Sequence, residues 1–147
     1  SSVIELLSWH QENQLKEFDI IIQIFTHSIL IDGATIKNAI KFSLSSEFNR
    51  IISIAELPVP VEWTYKIKNS KLKSIFPEGE LIRSQDLGKS FYDAGQFYIY
   101  KKNWFLNKKN SKSQNGYLLP RFHGLDLDYE DDIKDLEFLY KLKELRK

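Results

Sequence analysis

Apolar and polar positions change period several times along this chain, and each change marks an element. From Val3, the residues Val3, Leu6 and Leu7, with His10 next on the same face, follow the i, i+3, i+4, i+7 spacing of a helix laid on a core and ending before Phe18. Asp19 to Phe25 is instead a nearly continuous apolar run, D-I-I-I-Q-I-F, of the kind found in strands covered on both faces, and it predicts a central parallel strand. The loop Thr26 to Leu30 leads to Asp32, which predicts an N-cap for a helix carrying Ile36, Ala39 and Ile40 on one side. Arg50 to Leu57 repeats the buried-strand pattern and stops at Pro58 and Pro60, which cannot donate to a ladder.

The next stretch alternates with period two. Glu62 to Lys68 puts Trp63, Tyr65 and Ile67 on one face and Glu62, Thr64, Lys66 and Lys68 on the other, which predicts an exposed antiparallel strand. Asn69-Ser70 turns the chain back through Leu72 to Phe76, and Pro77-Glu78-Gly79 ends the excursion. Past Gly95 an aromatic strand is expected, with Gln96, Tyr98 and Tyr100 on one face and Phe97 and Ile99 in the core. Lys101 to Lys112 reads as a short helix and loop around Trp104, Phe105 and Leu106, and Tyr117 to Leu119 as a short strand. A last helix buries Ile133, Leu136, Leu139 and Tyr140, with Asp128 as its N-cap, acidic residues in its first turn and basic ones in its last. Strands alternating with helices make an α/β chain, read as one domain over residues 1–147.

Composition narrows the function classes. The 21 basic and 20 acidic residues nearly cancel, so no overall field draws in nucleic acid or an anionic membrane surface. The absence of cysteine excludes disulfides and thiolate metal sites, and the three histidines are too far apart for a helix-spaced zinc pair. Apolar runs fall short of the roughly 20 residues that span a bilayer, and the start lacks a basic region before an apolar stretch. A soluble, cytoplasmic protein without nucleic-acid or membrane partners is expected. The lack of methionine and the opening Ser1-Ser2 suggest a chain cut from something longer.

Two stretches carry candidate chemistry. Arg83 to Tyr100 reads R-S-Q-D-L-G-K-S-F-Y-D-A-G-Q-F-Y-I-Y. Arg83 offers a planar fork suited to a carboxylate, while Gln85, Asp93, Gln96 and Tyr98 can hydrogen-bond a polyhydroxylated ligand. On residues alone, these groups also fit the polar face of an exposed strand. The second stretch is His123-Gly124-Leu125-Asp126-Leu127-Asp128. In extended backbone Asp126 and Asp128 point to one side, offering hard oxygens to magnesium, which takes a few carboxylates together with water and phosphate. Helix capping accounts for Asp128 without a metal but leaves Asp126 unexplained.

These motifs resemble the acylneuraminate cytidylyltransferase family, and within it the pseudaminic acid type, where Arg-x-Gln-Asp-Leu is followed by Asp-Ala-Gly-Gln-Phe-Tyr. Weaker echoes are Glu56-Leu57-Pro58-Val59-Pro60, and Leu119-Pro120-Arg121 followed by Asp126-Leu127-Asp128. The loop after the first strand departs from the family's Gln-Pro-Thr-Ser-Pro-like sequence, and only Ser28 agrees.

The resemblance implies a Rossmann-like nucleotidyltransferase, a three-layer αβα sandwich with a mostly parallel sheet and an antiparallel hairpin arm, residues 61–82, that builds a homodimer. It implies transfer of CMP from CTP to a nine-carbon keto-acid sugar of pseudaminic, legionaminic or sialic type, with release of pyrophosphate. Arg83, Gln85, Asp93, Gln96 and Tyr98 would hold the sugar, and Asp126 and Asp128 the catalytic Mg2+, with no general base evident. The family's Ala-Arg-Gly-Gly-Ser-Lys-like phosphate loop has no counterpart here, since the glycines are scattered singly. The chain is therefore expected to be the C-terminal, sugar and metal part of such an enzyme, its N-terminal βα unit missing, with little or no activity alone. An inactive sugar-binding module or a dimerisation fragment is the alternative.

Overall fold

A computed structural model describes residues 2–13, 18–102, 104 and 114–145. Helix α1 spans Ser2–Glu12, and beyond it the His10 ring meets Phe18 edge-on. Strand β1 (Ile20–Ile24) and helix α2 (Gly33–Ser45) follow as the apolar run and the cap predict. Asp32 stands in extended conformation and accepts the Thr35 N–H at 2.8 Å, so it caps α2 as expected.

Strand β2 (Arg50–Glu56), β5 (Phe91–Lys101) and β6 (Gln114–Leu118) join β1 in one sheet of order β1-β5-β2-β6. Three of these strands, β1, β2 and β6, point the same way, but β5 lies reversed between β1 and β2. The expected mostly parallel sheet therefore holds for strand direction, while two ladders are antiparallel and only β2–β6 is parallel. The long β5 returns from the hairpin excursion rather than from a crossover helix, and a strand entering from that side pairs antiparallel. The chain is thus a mixed α/β fold. Strand β1, expected at the centre, is an edge among the described residues, and Ile24 is half exposed.

The core lies on one face of the sheet. Ile51, Phe97 and Ile99 are fully buried there with Ala39 of α2, flanked by Ile20, Ile22, Ile36, Ile40 and Phe42. The opposite face of β5 was expected to present Gln96, Tyr98 and Tyr100 together. Gln96 is 1% and Tyr100 8% exposed, whereas Tyr98 is half-buried and the start of the strand, Phe91 to Asp93, is exposed.

The excursion is a separate hairpin, β3 (Tyr65–Lys68) and β4 (Lys71–Ser74), with Asn69 and Ser70 both at positive φ, as a two-residue turn between twisted strands requires. Trp63 sits in a short 3-10 turn before β3 rather than on the strand, and its indole N–H donates to the Ile82 carbonyl. The predicted helix and loop at 101–112 lie almost wholly outside the described residues. The last helix, α3, spans Glu130–Glu144. Its cap is not Asp128: Tyr129 holds the extended N-cap position, and the Asp132 carboxylate accepts the N–H groups of Asp128 and Tyr129. The reach-back from the first turn satisfies those donors, so the Asp128 side chain is not needed for capping. Lys143 anchors the far end of α3 to the loop before α2, bonding Asp32 and the Leu30 carbonyl. No described helix is long and apolar enough to cross a membrane.

Candidate functional site

A break in the β2–β5 ladder builds the site. Ile52 pairs with Tyr98 and Ile54 with Asp93, so Ser53 alone faces the segment Ala94 to Phe97. Gly95 makes this possible by adopting φ +60°, a left-handed conformation that costs a residue with a side chain about 1–2 kcal/mol. The Asp93 carboxylate accepts the Gly95 N–H at 3.0 Å and closes the bulge. The Gln96 and Phe97 N–H groups, displaced from regular pairing, both donate to the buried Ser53 hydroxyl, at 3.0 and 3.1 Å. The Gln96 carbonyl accepts from the Phe25 N–H and, at 2.6 Å, from the Ser28 hydroxyl. Ser28, where the loop agrees with the resembled family, thus ties the loop after β1 to the bulge.

The bulge gathers side chains that are remote in sequence. His27 Nε2 lies 3.0 Å from the Gly95 carbonyl and 3.1 Å from Asp126 Oδ1. The Gln96 amide donates to the Ala94 and Leu125 carbonyls, at 3.0 Å each, and so fastens the segment that carries Asp126. Tyr98 donates its hydroxyl to Asp93 Oδ2 at 2.9 Å, and burial, together with that carboxylate, pushes its pKa up to about 12. The Arg50 guanidinium stands 4.8 Å from the Tyr98 ring centroid, and Phe25 meets the same ring edge-on.

A cavity of about 700 Å³ is linked to this cluster through Leu125, while His27, Asp93, Gln96, Tyr98 and Asp126 do not line it. It is lined by Ala55 to Pro58 at the carboxyl end of β2, by Leu118 to Phe122 at the carboxyl end of β6, and by Tyr92, Gly124, Leu125 and Leu139. Ligands of open α/β sheets collect beyond the carboxyl ends of parallel strands, and β2 and β6 are the parallel pair here. Phe122, at φ 70°, turns the chain sharply along the rim, and Arg121 stacks over its ring. Gly124 fits only without a side chain: a Cβ would stand 2.7 Å from that of Ala55 and 3.1 Å from that of Ala94.

No family model matches the chain. The chain is 26% identical, over 96% of its length, to two pseudaminic acid cytidylyltransferases of Campylobacter jejuni subsp. jejuni, one of serotype O:23/36 and one of serotype O:2. Its similarity is to pseudaminic acid cytidylyltransferases. The chain spans 60% of the length of these curated relatives.

The residues by which the sequence resembles cytidylyltransferases are distributed unevenly over this geometry. Asp93, Gln96, Tyr98 and Asp126 meet at the bulge. The two Pro-containing echoes, Glu56 to Pro58 and Leu119 to Arg121, both line the cavity. Arg83 and Gln85 stand apart on an exposed 3-10 turn, where Arg83 pairs with Asp86 at 3.1 Å, and neither lines the cavity. Lys89, after that turn, bonds Glu56 at the cavity mouth and brings the segment back toward the site.

Magnesium suits one or two carboxylates that retain water and phosphate, and Asp126 meets that requirement, with its carboxylate half exposed at the end of the bulge. Asp128 is exposed two residues on. Among the described residues there is no cluster of three histidine or acidic groups, so protein ligands alone do not complete a metal site here. The donor type fits magnesium that also takes oxygens from substrate.

Sequence reasoning passed over Ser53, the cavity and His27. The first is a small polar residue in an apolar strand, and nothing in Arg50–Glu56 hints at a bulge in the strand opposite. The second arises from two loops that meet only in space. His27 had a visible signal, a histidine in the loop after the first strand where ligands collect, but its partner lay at the other end of the chain.

Proposed function

We propose that this chain forms the sugar- and metal-binding part of a cytidylyltransferase that couples a nonulosonic acid of pseudaminic type to CMP, for cell-surface glycan synthesis in the cytoplasm. The reading is carried by one observation: the motif residues Asp93, Gln96, Tyr98 and Asp126 gather at the bulge, and Gln96 fastens it to Leu125, which lines a cavity of about 700 Å³ together with the other two motif echoes. Such a volume is in the range of small-ligand sites.

In the proposed reaction the anomeric hydroxyl oxygen of the sugar acid attacks the α-phosphorus of CTP. A carbon–oxygen–phosphorus linkage forms, the hydroxyl proton passes to solvent water, the α–β anhydride bond breaks, and pyrophosphate leaves with its electron pair. Asp126 and Asp128 would hold Mg2+, which neutralises phosphate charge when bound. Asp93 and Tyr98 present a carboxylate and a phenol to sugar hydroxyls, and Gln96 serves by holding the Leu125–Asp126 segment in place. Arg83 and Gln85, on their exposed turn, meet the sugar carboxylate and its neighbours from outside the cavity. The three-layer αβα sandwich is the architecture this reading requires, and the Ile67 and Leu72 face of the hairpin is the homodimer contact that it assigns.

Isothermal titration tests it. Pseudaminic acid binds the chain, and Asp93→Asn together with Tyr98→Phe weakens that binding about tenfold or more, as loss of two hydrogen bonds to a ligand does. CTP with Mg2+ is titrated separately. Absence of sugar-acid binding to the unmodified chain would remove the proposal.

A further inference from the structure

We infer that His27 is a positioning residue for Asp126, fixing that carboxylate so that one oxygen is held by donors and the other is left for a divalent cation. The inference rests on the reading of Asp126 as a magnesium ligand and adds to it a residue from the opposite end of the chain. It starts from the surroundings of one nitrogen. His27 Nε2 has two near neighbours, the Gly95 carbonyl oxygen at 3.0 Å and Asp126 Oδ1 at 3.1 Å, and both can only accept. Nε2 therefore carries the hydrogen, and the ring is a donor toward Asp126.

The ring itself is held. It stacks on Phe25, with centroids 5.7 Å apart and planes 19° from parallel, and Phe25 is locked in turn against the Tyr98 ring. Its side chain is 20% exposed, against 55% for Asp126, so a fixed donor meets an outward carboxylate. Asp126 Oδ1 also accepts the Leu127 N–H at 2.9 Å. Two donors on one oxygen set the plane of a carboxylate that would otherwise rotate.

The second oxygen, Oδ2, takes no hydrogen bond from the described residues and lies beside Gly95. A Cβ at that glycine would stand 3.8 Å from it. The bulge supplies the carbonyl that steadies His27, and the donors on Oδ1 leave Oδ2 as the oxygen open to a cation. A bond from histidine to a metal-binding carboxylate is a means by which proteins orient a ligand before the ion arrives, and loss of such a partner commonly lowers metal affinity about 10- to 100-fold.

Loop stapling through Gly95 alone predicts a different outcome, so the two roles can be told apart. Mn2+ serves as the probe, its binding to the full chain followed by electron paramagnetic resonance, alongside thermal unfolding of each variant. His27→Phe keeps a ring to stack on Phe25 but removes the donor, and it is expected to weaken Mn2+ binding about tenfold or more. His27→Gln keeps a donor without the ring, and is expected to stay within about threefold of the parent chain. Mn2+ binding by His27→Phe as tight as the parent's, or an equal loss in His27→Gln, overturns the inference while leaving the metal reading in place. A parent chain that binds no Mn2+, or an Asp126→Asn variant that binds it undiminished, overturns the metal reading and the inference with it.

Discussion

Ser53→Ala removes one oxygen from the centre of the sheet and tests how the bulge is held. Ser53 is fully buried, and its hydroxyl accepts from two backbone N–H groups, Gln96 at 3.0 Å and Phe97 at 3.1 Å. The register shift between Ile52 and Ile54 takes these donors out of regular pairing with β2. Alanine fills the same space apart from one atom, so the packing loss is small. Each buried donor left without a partner costs about 1–3 kcal/mol, which gives about 2–6 kcal/mol for the pair. That is a large share of the roughly 5–15 kcal/mol by which domains are stable. Urea denaturation followed by circular dichroism should show a midpoint well below that of the parent with an unchanged slope. Hydrogen exchange at the Gln96 and Phe97 amides should accelerate more than at Ile99. A loss under about 0.5 kcal/mol, with those amides still protected, would refute the assignment of Ser53 as the support of the bulge.

Three further outcomes follow from the same structure. The Tyr98 phenol, raised to about 12 by burial and by Asp93, stays protonated in the folded chain while the unfolded chain ionises near 10, so stability is full below pH 10 and falls as pH rises through about 12. Tyr98→Phe should flatten that decline, and full phenolate absorbance by pH 10.5 in the folded chain contradicts it. The Asp32 carboxyl is held well below the usual carboxylate range, first by the Thr35 N–H, then by the Thr35 hydroxyl and Lys143. Its contribution is present above about pH 4 and is lost as pH falls below that value. Asp32→Ala should cost about 0.5–2 kcal/mol at neutral pH and weaken the acid dependence; unfolding curves identical to the parent's from pH 2 to 7 would contradict this. In the hairpin, Ile67 and Leu72 are cross-strand neighbours and both exposed, so replacing both with lysine should leave unfolding nearly unchanged while converting the proposed dimer to monomer in sedimentation velocity. A parent chain that sediments as a monomer at micromolar concentration removes that contact.

Much of the fold follows local pattern. The apolar run at Ile20–Ile24, the Asp32 cap and the two strands of the hairpin form where short-range sequence places them, because each depends on neighbours within a few positions, whereas of the expected buried stripe of α3 only Leu136 is buried and Ile133 and Tyr140 are exposed. The errors lie where a local rule had a competitor. Asp128 has a cap residue's chemistry, but Asp132 reaches back and takes the donors first. Gln96 has the polarity of a surface residue, yet two carbonyls, one of them from Leu125, satisfy its amide and let it be buried. Strand β1 has the composition of a central strand, but which strands flank it is a matter of topology rather than composition.

The sequence by itself determined the class of the fold, the elements and the residue types able to meet a sugar acid and a hard cation, since these are properties of short segments and of side-chain chemistry. Only the tertiary structure decided which of them act together. The reversal of β5 between β1 and β2, and the left-handed Gly95 within it, bring His27 from the first loop and Asp126 from the last within 3.1 Å. The same pairing of β2 with β6 sets the two proline-bearing turns around one cavity, while Arg83 and Gln85 remain outside it. Such meetings depend on strand order and on a single break in register, and long-range pairing of that kind leaves no periodic trace in the segments it joins.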